Sequence, residues 1–194
     1  MAQDSSKPEF WESRYRDQVM PWDTGTVPAE LLSFLPKVPR KARVLVPGCG
    51  SAHEAGHMFD NGLDVLAIDF SPAAVELARK KLSRLGDRIK LADFFTFDHG
   101  QPYDMIYERA FLCALPPRMW PQYAQRTAQL LRSGGELAGF FFFGSGEKGP
   151  PFGVTSHDLH ALLDPDFVLT EEKAVSDSIP VFRDAERWQV WRRR

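Results

Sequence analysis

Apolar residues along this chain gather in short runs that end at small or charged residues, and helical stretches separate the runs. Val44-Leu45-Val46 leads into Pro47-Gly48-Cys49-Gly50-Ser51-Ala52, a helical stretch follows over residues 53–59, and Asn61-Gly62 ends it. A second run, Val65-Leu66-Ala67-Ile68, closes on Asp69. Short apolar runs bounded by turns read as buried strands of a parallel sheet. Ser71-Pro72 opens a helix, with serine as N-cap and proline at the first position, that continues to about Leu85 and closes at Gly86. Residues 89–92 form a third strand ending in Asp93-Phe94-Phe95. Residues 103–107 form a fourth, followed by Glu108-Arg109. A helix over residues 121–131 is ended by Ser133-Gly134-Gly135. A very apolar fifth strand over residues 136–143 carries four phenylalanines, expected to be buried on both faces. A loop over residues 144–152, a helix over 156–163 and two strands over 167–171 and 187–191 complete the pattern, and the connection between the last strands contains Pro180 and Asp184. The expected fold is α/β: a doubly wound, mostly parallel seven-stranded sheet, Rossmann-like, with a final antiparallel strand.

The segment before the first strand reads differently. Residues 1–9 are expected to be disordered, 10–15 to form a short helix, 20–25 to be turn-rich, and 29–35 to form a helix ended by Pro36. Pro36, Pro39 and the basic residues Lys37, Arg40, Lys41 and Arg43 mark a linker. Trp11 and Trp22 either pin this segment to the body or form a lid over a ligand. One domain, 1–194, is expected, with 1–40 as the lid segment and 41–194 as the sheet core.

The turn after the first strand has the composition of a nucleotide site. Gly48 and Gly50 permit a tight turn and close ligand approach, the following helix offers free amide donors, and Asp69 at the next strand tip can accept from ribose hydroxyls. A dinucleotide fingerprint places a third glycine where His53 stands, and a phosphate-binding loop needs a Gly-Lys-Ser/Thr ending that is absent. An adenosyl ligand without a pyrophosphate remains, and S-adenosylmethionine fits. Asp93, at the third strand tip, is either a turn cap or an acceptor for the adenine amino group. Glu108 and Arg109 are either a structural pair or face the cleft, with Arg109 holding a substrate or a carboxylate.

Composition narrows the classes. The chain has 194 residues, 43% apolar and 26% charged, with net charge −2, as expected of a soluble globular protein without a nucleic-acid footprint. No apolar run approaches the roughly 18 residues of a membrane span, and the polar start lacks a signal-peptide core, so a cytoplasmic protein is expected. Cys49 and Cys113 make no disulfide framework, and cysteine and histidine show no metal-ligand spacing. Cys113 reads as a packed small residue, His53 and His57 as structural helix residues before catalytic bases, and Arg192-Arg193-Arg194 as a solvated tail.

Several motifs together resemble the thiopurine S-methyltransferase family, with its plant-type thiol and halide methyltransferases. Val46-Pro47-Gly48-Cys49-Gly50 is similar to the turn of the halide and thiol branch, as is Phe111-Leu112-Cys113-Ala114. Tyr107-Glu108-Arg109-Ala110 and Leu115-Pro116-Pro117 resemble the thiopurine branch. Trp11 with Pro21-Trp22-Asp23-Thr24-Gly25 resembles the family's N-terminal lid, and Gly149-Pro150-Pro151-Phe152 its later loop. Ala52 departs from a glycine common in the halide branch. The resemblance implies a class I S-adenosylmethionine-dependent methyltransferase, with product S-adenosylhomocysteine. The acceptor would be a small soft nucleophile: a thiol, thiocyanate, halide or thiopurine sulfur. The candidate cofactor-binding set is Trp11, Trp22, Gly48, Gly50, Asp69, Asp93, Phe94, Glu108 and Arg109; Arg109 is also the candidate catalytic, positioning residue. A monomer acting on a small molecule, with no metal, membrane or nucleic-acid partner, is expected. The alternative is a sensor or scaffold that binds the cofactor without turnover.

Overall fold

The computed structural model describes residues 4–98, 100–144, 148–182 and 185–194. The chain divides into two compact units, Met1–Asp98 and His99–Arg194.

The first unit carries three parallel strands in the order β3-β2-β1. They are β1 (Arg43–Pro47), β2 (Asp64–Asp69) and β3 (Ile89–Leu91). Val44, Leu45, Val65, Ala67, Ile68 and Ile89 are buried, as strands covered on both faces require. Pro47 stands level with Ile68, so the glycine turn and Asp69 emerge at one edge. The helices are α1 (Pro8–Arg16), α2 (Ala29–Phe34), α3 (His53–Asp60) and α4 (Pro72–Lys81). Ser71 caps α4 by accepting from the Ala74 amide.

Three expectations need correction here. The segment through Glu9 is not disordered where it is described: Ser5 is buried, and α1 begins at Pro8. Pro36 does not end a helix abruptly; α2 passes into a 3₁₀ turn, Leu35–Lys37, that contains it. The helix after Ser71 stops at Lys81, four residues early, because Leu82 leaves helical geometry (φ −127°, ψ 51°). A 3₁₀ turn, Ser83–Arg88, follows, and buries Leu85 against the unit while Leu82 is buried just before it. Three-residue spacing puts both leucines on one side of such a turn.

The second unit carries β4 (Tyr103–Arg109), β5 (Leu131–Phe142), β6 (Phe167–Ala174) and β7 (Glu186–Arg193), in the order β4-β5-β7-β6. β4 and β5 are parallel, and β7 is inserted antiparallel between β5 and β6, the arrangement expected of a methyltransferase sheet. Trp188 and Trp191 are fully buried on β7, and Trp188 meets Phe140 edge-to-face at 5.2 Å. The remaining helices are α5 (Trp120–Leu130) and α6 (Ser156–Leu163).

Glu108 and Arg109 lie within β4 rather than after it. Ser133-Gly134-Gly135 does not merely end a helix; it lies inside β5, where the register against β4 shifts between Tyr103 and Met105. The phenylalanine run is less uniform than expected: Phe140 and Phe141 are buried, while Phe142 and Phe143 are half-buried. Arg192-Arg193-Arg194 is no loose tail. Arg192 and Arg193 belong to β7, Arg193 donates to the Leu131 carbonyl, and the Arg194 amide donates to Asp166 at 2.9 Å. Most of the loop over residues 144–152 is described, but 145–147, like Asp184, lie outside the described residues. Among the described residues no helix is long and apolar enough to cross a membrane.

Candidate functional site

The glycine turn is built from the strand edge outward. Gly48 (φ 57°) and Gly50 (φ 51°) both take left-handed backbone geometry, which glycine adopts without steric cost. Ala52 also adopts it (φ 59°), at a cost of about 1 kcal/mol for a residue with a β-carbon. Gly48 is exposed, while Cys49 and Gly50 are buried. The Cys49 amide is anchored on the Ile68 carbonyl at 3.0 Å. Helix α3 starts directly at His53 with no side chain capping its first turn, so amide donors at its N-terminus remain available to an acceptor.

Asp69 is buried beneath this turn. Its Oδ2 accepts from the Gly50 amide at 3.1 Å and its Oδ1 from the Ser71 amide at 2.9 Å. Burial pushes the carboxyl up to about 6, against the opposing pull of the Ser71, Gly50 and Phe70 amides. The acid thus braces the turn from inside, with acceptor capacity left beyond these amides. Asp93 is exposed and caps its own turn, its Oδ1 accepting from the Phe95 amide at 2.8 Å. Phe94 is buried and meets Phe95 edge-to-face.

The N-terminal segment stands over the turn. Trp11 meets Trp22 edge-to-face at 5.3 Å, and Trp22 meets Tyr15 at 6.2 Å. Trp11 Nε1 donates to the Ser5 carbonyl at 2.8 Å. A β-carbon at Gly50 would lie 2.7 Å from the Tyr15 hydroxyl. Burial, with the nearby Asp69 charge, holds that hydroxyl well above the ordinary tyrosine range, against a hydrogen bond with Trp22. Asp23 anchors the segment between two helices. Its carboxylate lies 3.6 Å from His53 Nε2 and 3.9 Å from Lys81 Nζ, and it accepts from the Gly25 amide at 3.0 Å. The structure therefore brings Trp11, Trp22, Gly50 and Asp69 together. Tyr15 belongs with them, and Asp23 and His53 form the anchor beside them. The sequence offers no local signal that Asp23 reaches His53 across 30 positions.

Glu108 and Arg109 belong to the second unit. As neighbours on a strand they point to opposite faces. Glu108 is fully buried, with Oε1 accepting from the Phe111 and Leu112 amides at 3.0 and 3.2 Å and Oε2 lying 3.4 Å from the Tyr123 hydroxyl. Burial raises it to about 7, opposed by the Leu112 and Phe111 amides and Tyr123, while the Glu186 charge raises it further. It organises the turn beyond β4. Arg109 is half-buried, with its guanidinium 5.0 Å from the Phe140 ring centre. Cys49 and Cys113 are both buried, and burial pushes each thiol well above its ordinary range. Both are packed, protonated groups rather than nucleophiles. Among the described residues no cluster of side chains can hold a metal ion.

A model of the family described as thiopurine S-methyltransferase matches residues 6–194. The chain is 33% identical over 162 residues to probable thiol methyltransferase 2 of Arabidopsis thaliana, covering 80% of this chain and 71% of that protein. It is 30% identical over 168 residues to thiocyanate methyltransferase 1 of Brassica oleracea, with the same coverage. Among solved structures it is similar to 1,6-didemethyltoxoflavin-N1-methyltransferase of Burkholderia thailandensis, which carries S-adenosylhomocysteine. The TM-score is 0.77 at 20% identity, with 96% of this chain and 86% of that chain covered. The seven-stranded mixed sheet is the class I, Rossmann-like fold.

Proposed function

Since the chain belongs to the thiopurine S-methyltransferase family, we propose that it moves the methyl group of S-adenosylmethionine to a small soft nucleophile: a thiol, thiocyanate, halide or thiopurine sulfur. The observation that carries this reading is the aromatic cover, with the Tyr15 hydroxyl set against the Gly50 turn. The residues present fit an adenosyl ligand. Gly48 is exposed, the first turn of α3 has no side-chain cap, and Trp11, Tyr15 and Trp22 form an apolar wall of interlocked rings.

When bound, S-adenosylmethionine supplies an electrophilic methyl group on a positively charged sulfur, which a soft anion displaces in line. The chain's own work is alignment and exclusion of water. Gly48, Gly50 and the α3 amides hold the polar end of the ligand, and Asp69 fixes the turn that presents them while offering its remaining acceptor capacity to ribose. Asp93 and Phe94 serve the adenine end. Trp11 and Trp22 cover the methionine part and strip water from the nucleophile. Glu108 shapes the turn after β4, and Arg109 sets its charge toward the acceptor or the methionine carboxylate. A thiolate or halide needs no general base, which suits a turn whose Cys49 is buried and whose His53 turns to Asp23. The reading makes the protein a cytoplasmic monomer acting on small molecules rather than on nucleic acid.

Calorimetric titration tests the cofactor assignment. S-adenosylhomocysteine is expected to bind and NAD to give no heat. Binding of NAD in preference would overturn it.

A further inference from the structure

Glu12 reaches from the N-terminal helix to the first turn of α4, 59 residues away. Its Oε2 accepts from the Ser71 hydroxyl at 2.7 Å and from the Ala73 amide at 2.8 Å, and its Oε1 pairs with the exposed Arg16 at 2.8 Å. An ionised acceptor at a helix N-terminus meets both free amides and the positive end of the helix dipole. Burial opposes the charge on Glu12, but the Ala73 amide, the Ser71 hydroxyl and Arg16 outweigh it and hold the carboxyl below its ordinary range. Ser71 in turn donates its amide to Asp69, and Asp69 accepts from the Gly50 amide. A continuous line of hydrogen bonds thus runs Glu12, Ser71, Asp69, Gly50.

The rotation of α1 makes this line useful. Glu12 and Tyr15 are three positions apart, hence neighbours on the helix surface. Seating Glu12 on α4 fixes the rotation that sets Tyr15 against Gly50 and Trp11 against Trp22. At the start of α4 the two caps divide the work: the Ser71 hydroxyl accepts from the Ala74 amide, and Glu12 accepts from the Ala73 amide. The contact therefore ties α1 to the first turn of α4.

We propose that Glu12 is a positioning residue whose seat on Ser71 and Ala73 holds the aromatic cover of α1 closed on the glycine turn. Its effect on cofactor affinity rests on the proposed cofactor site; its effect on α1 does not. The test is hydrogen exchange of ligand-free protein together with S-adenosylhomocysteine titration, for wild type, Glu12→Ala, Glu12→Gln and Arg16→Ala. In Glu12→Ala the α1 amides are expected to exchange about tenfold faster, as befits loss of a charge-assisted pair of hydrogen bonds, with β1 and β2 unchanged and affinity reduced about tenfold. Glu12→Gln, whose carbonyl still accepts both bonds, should recover most of each effect. Arg16→Ala should stay within about twofold of wild type on the same scale. Unchanged α1 exchange in Glu12→Ala would overturn the proposal, as would exchange raised equally in β1 and β2. An equal effect in Arg16→Ala would also overturn it, by assigning the effect to the ion pair within α1. Wild-type protein that fails to bind S-adenosylhomocysteine would sink the cofactor assignment, while exchange would still decide the role of Glu12.

Discussion

The Tyr15 hydroxyl occupies the space that a β-carbon on Gly50 would need: the two would stand 2.7 Å apart. Gly50 is therefore required twice, by its left-handed backbone (φ 51°) and by the close approach of the cover. Gly50→Ala should push Tyr15 away and weaken S-adenosylhomocysteine binding by about tenfold or more, the strain of a left-handed alanine alone being about 1–2 kcal/mol. Adding Tyr15→Phe removes the clashing oxygen. The double variant is expected to regain part of the affinity, and titration of the four proteins checks it. Additive losses would show that the two residues do not meet.

Asp69 holds Gly50 and Ser71 with one oxygen each. In Asp69→Asn one oxygen becomes an amide that cannot accept, so one buried backbone donor loses its partner, at about 1–3 kcal/mol. Chemical denaturation should show that loss at pH 8. The turn would also misplace the ligand, so affinity should fall with stability.

Glu108 gives the fold an unusual pH dependence. Its carboxyl lies at about 7 in the folded protein against 4.5 ordinarily. Between those values the folded state keeps a proton that the unfolded chain has released, so its contribution to stability falls as pH rises from 4.5 to 7. Asp69 acts in the same direction between 3.8 and about 6. Wild type should lose roughly 3 kcal/mol from Glu108 over that window, and Glu108→Gln should flatten this part of the profile. Denaturation midpoints at pH 5 and 7.5 for both proteins measure it.

Gly139 lets β5 pair with β4 where Glu108 turns inward. A β-carbon there would overlap the Glu108 carbonyl, and no flexible side chain can yield. Gly139→Ala is expected to cost about 3–5 kcal/mol, seen as a lowered melting temperature or insoluble expression.

The core half was readable because each part is local. Apolar runs at 44–46 and 65–68, the Gly48–Gly50 turn and the Asp69 tip fall where the pattern puts them, and Ser71-Pro72 starts its helix as capping chemistry requires. The final antiparallel strand expected of the pattern is β7, and its pairing with β5 and β6 bears this out. What escaped depends on distant partners. Leu82 leaves α4 to bury itself, and Arg193 finds the Leu131 carbonyl 62 residues away. Glu12 is an ordinary exposed-looking acid in a polar helix until Ser71 and Ala73 are seen beneath it. In sequence Glu108 and Arg109 read either as a structural pair or as two charges facing the cleft; strand alternation separates their faces and gives Glu108 to backbone amides.

The most direct test of methyl transfer to a soft nucleophile is release of S-adenosylhomocysteine from purified protein and S-adenosylmethionine. The acceptors would be hydrosulfide, thiocyanate, iodide, an aromatic thiol and a thiopurine. The account predicts acceptor-dependent release with at least one of them, and a fall in that release in Trp22→Ala. Bound cofactor with no release across the whole set would contradict it, and would leave a protein that binds the cofactor without turning it over.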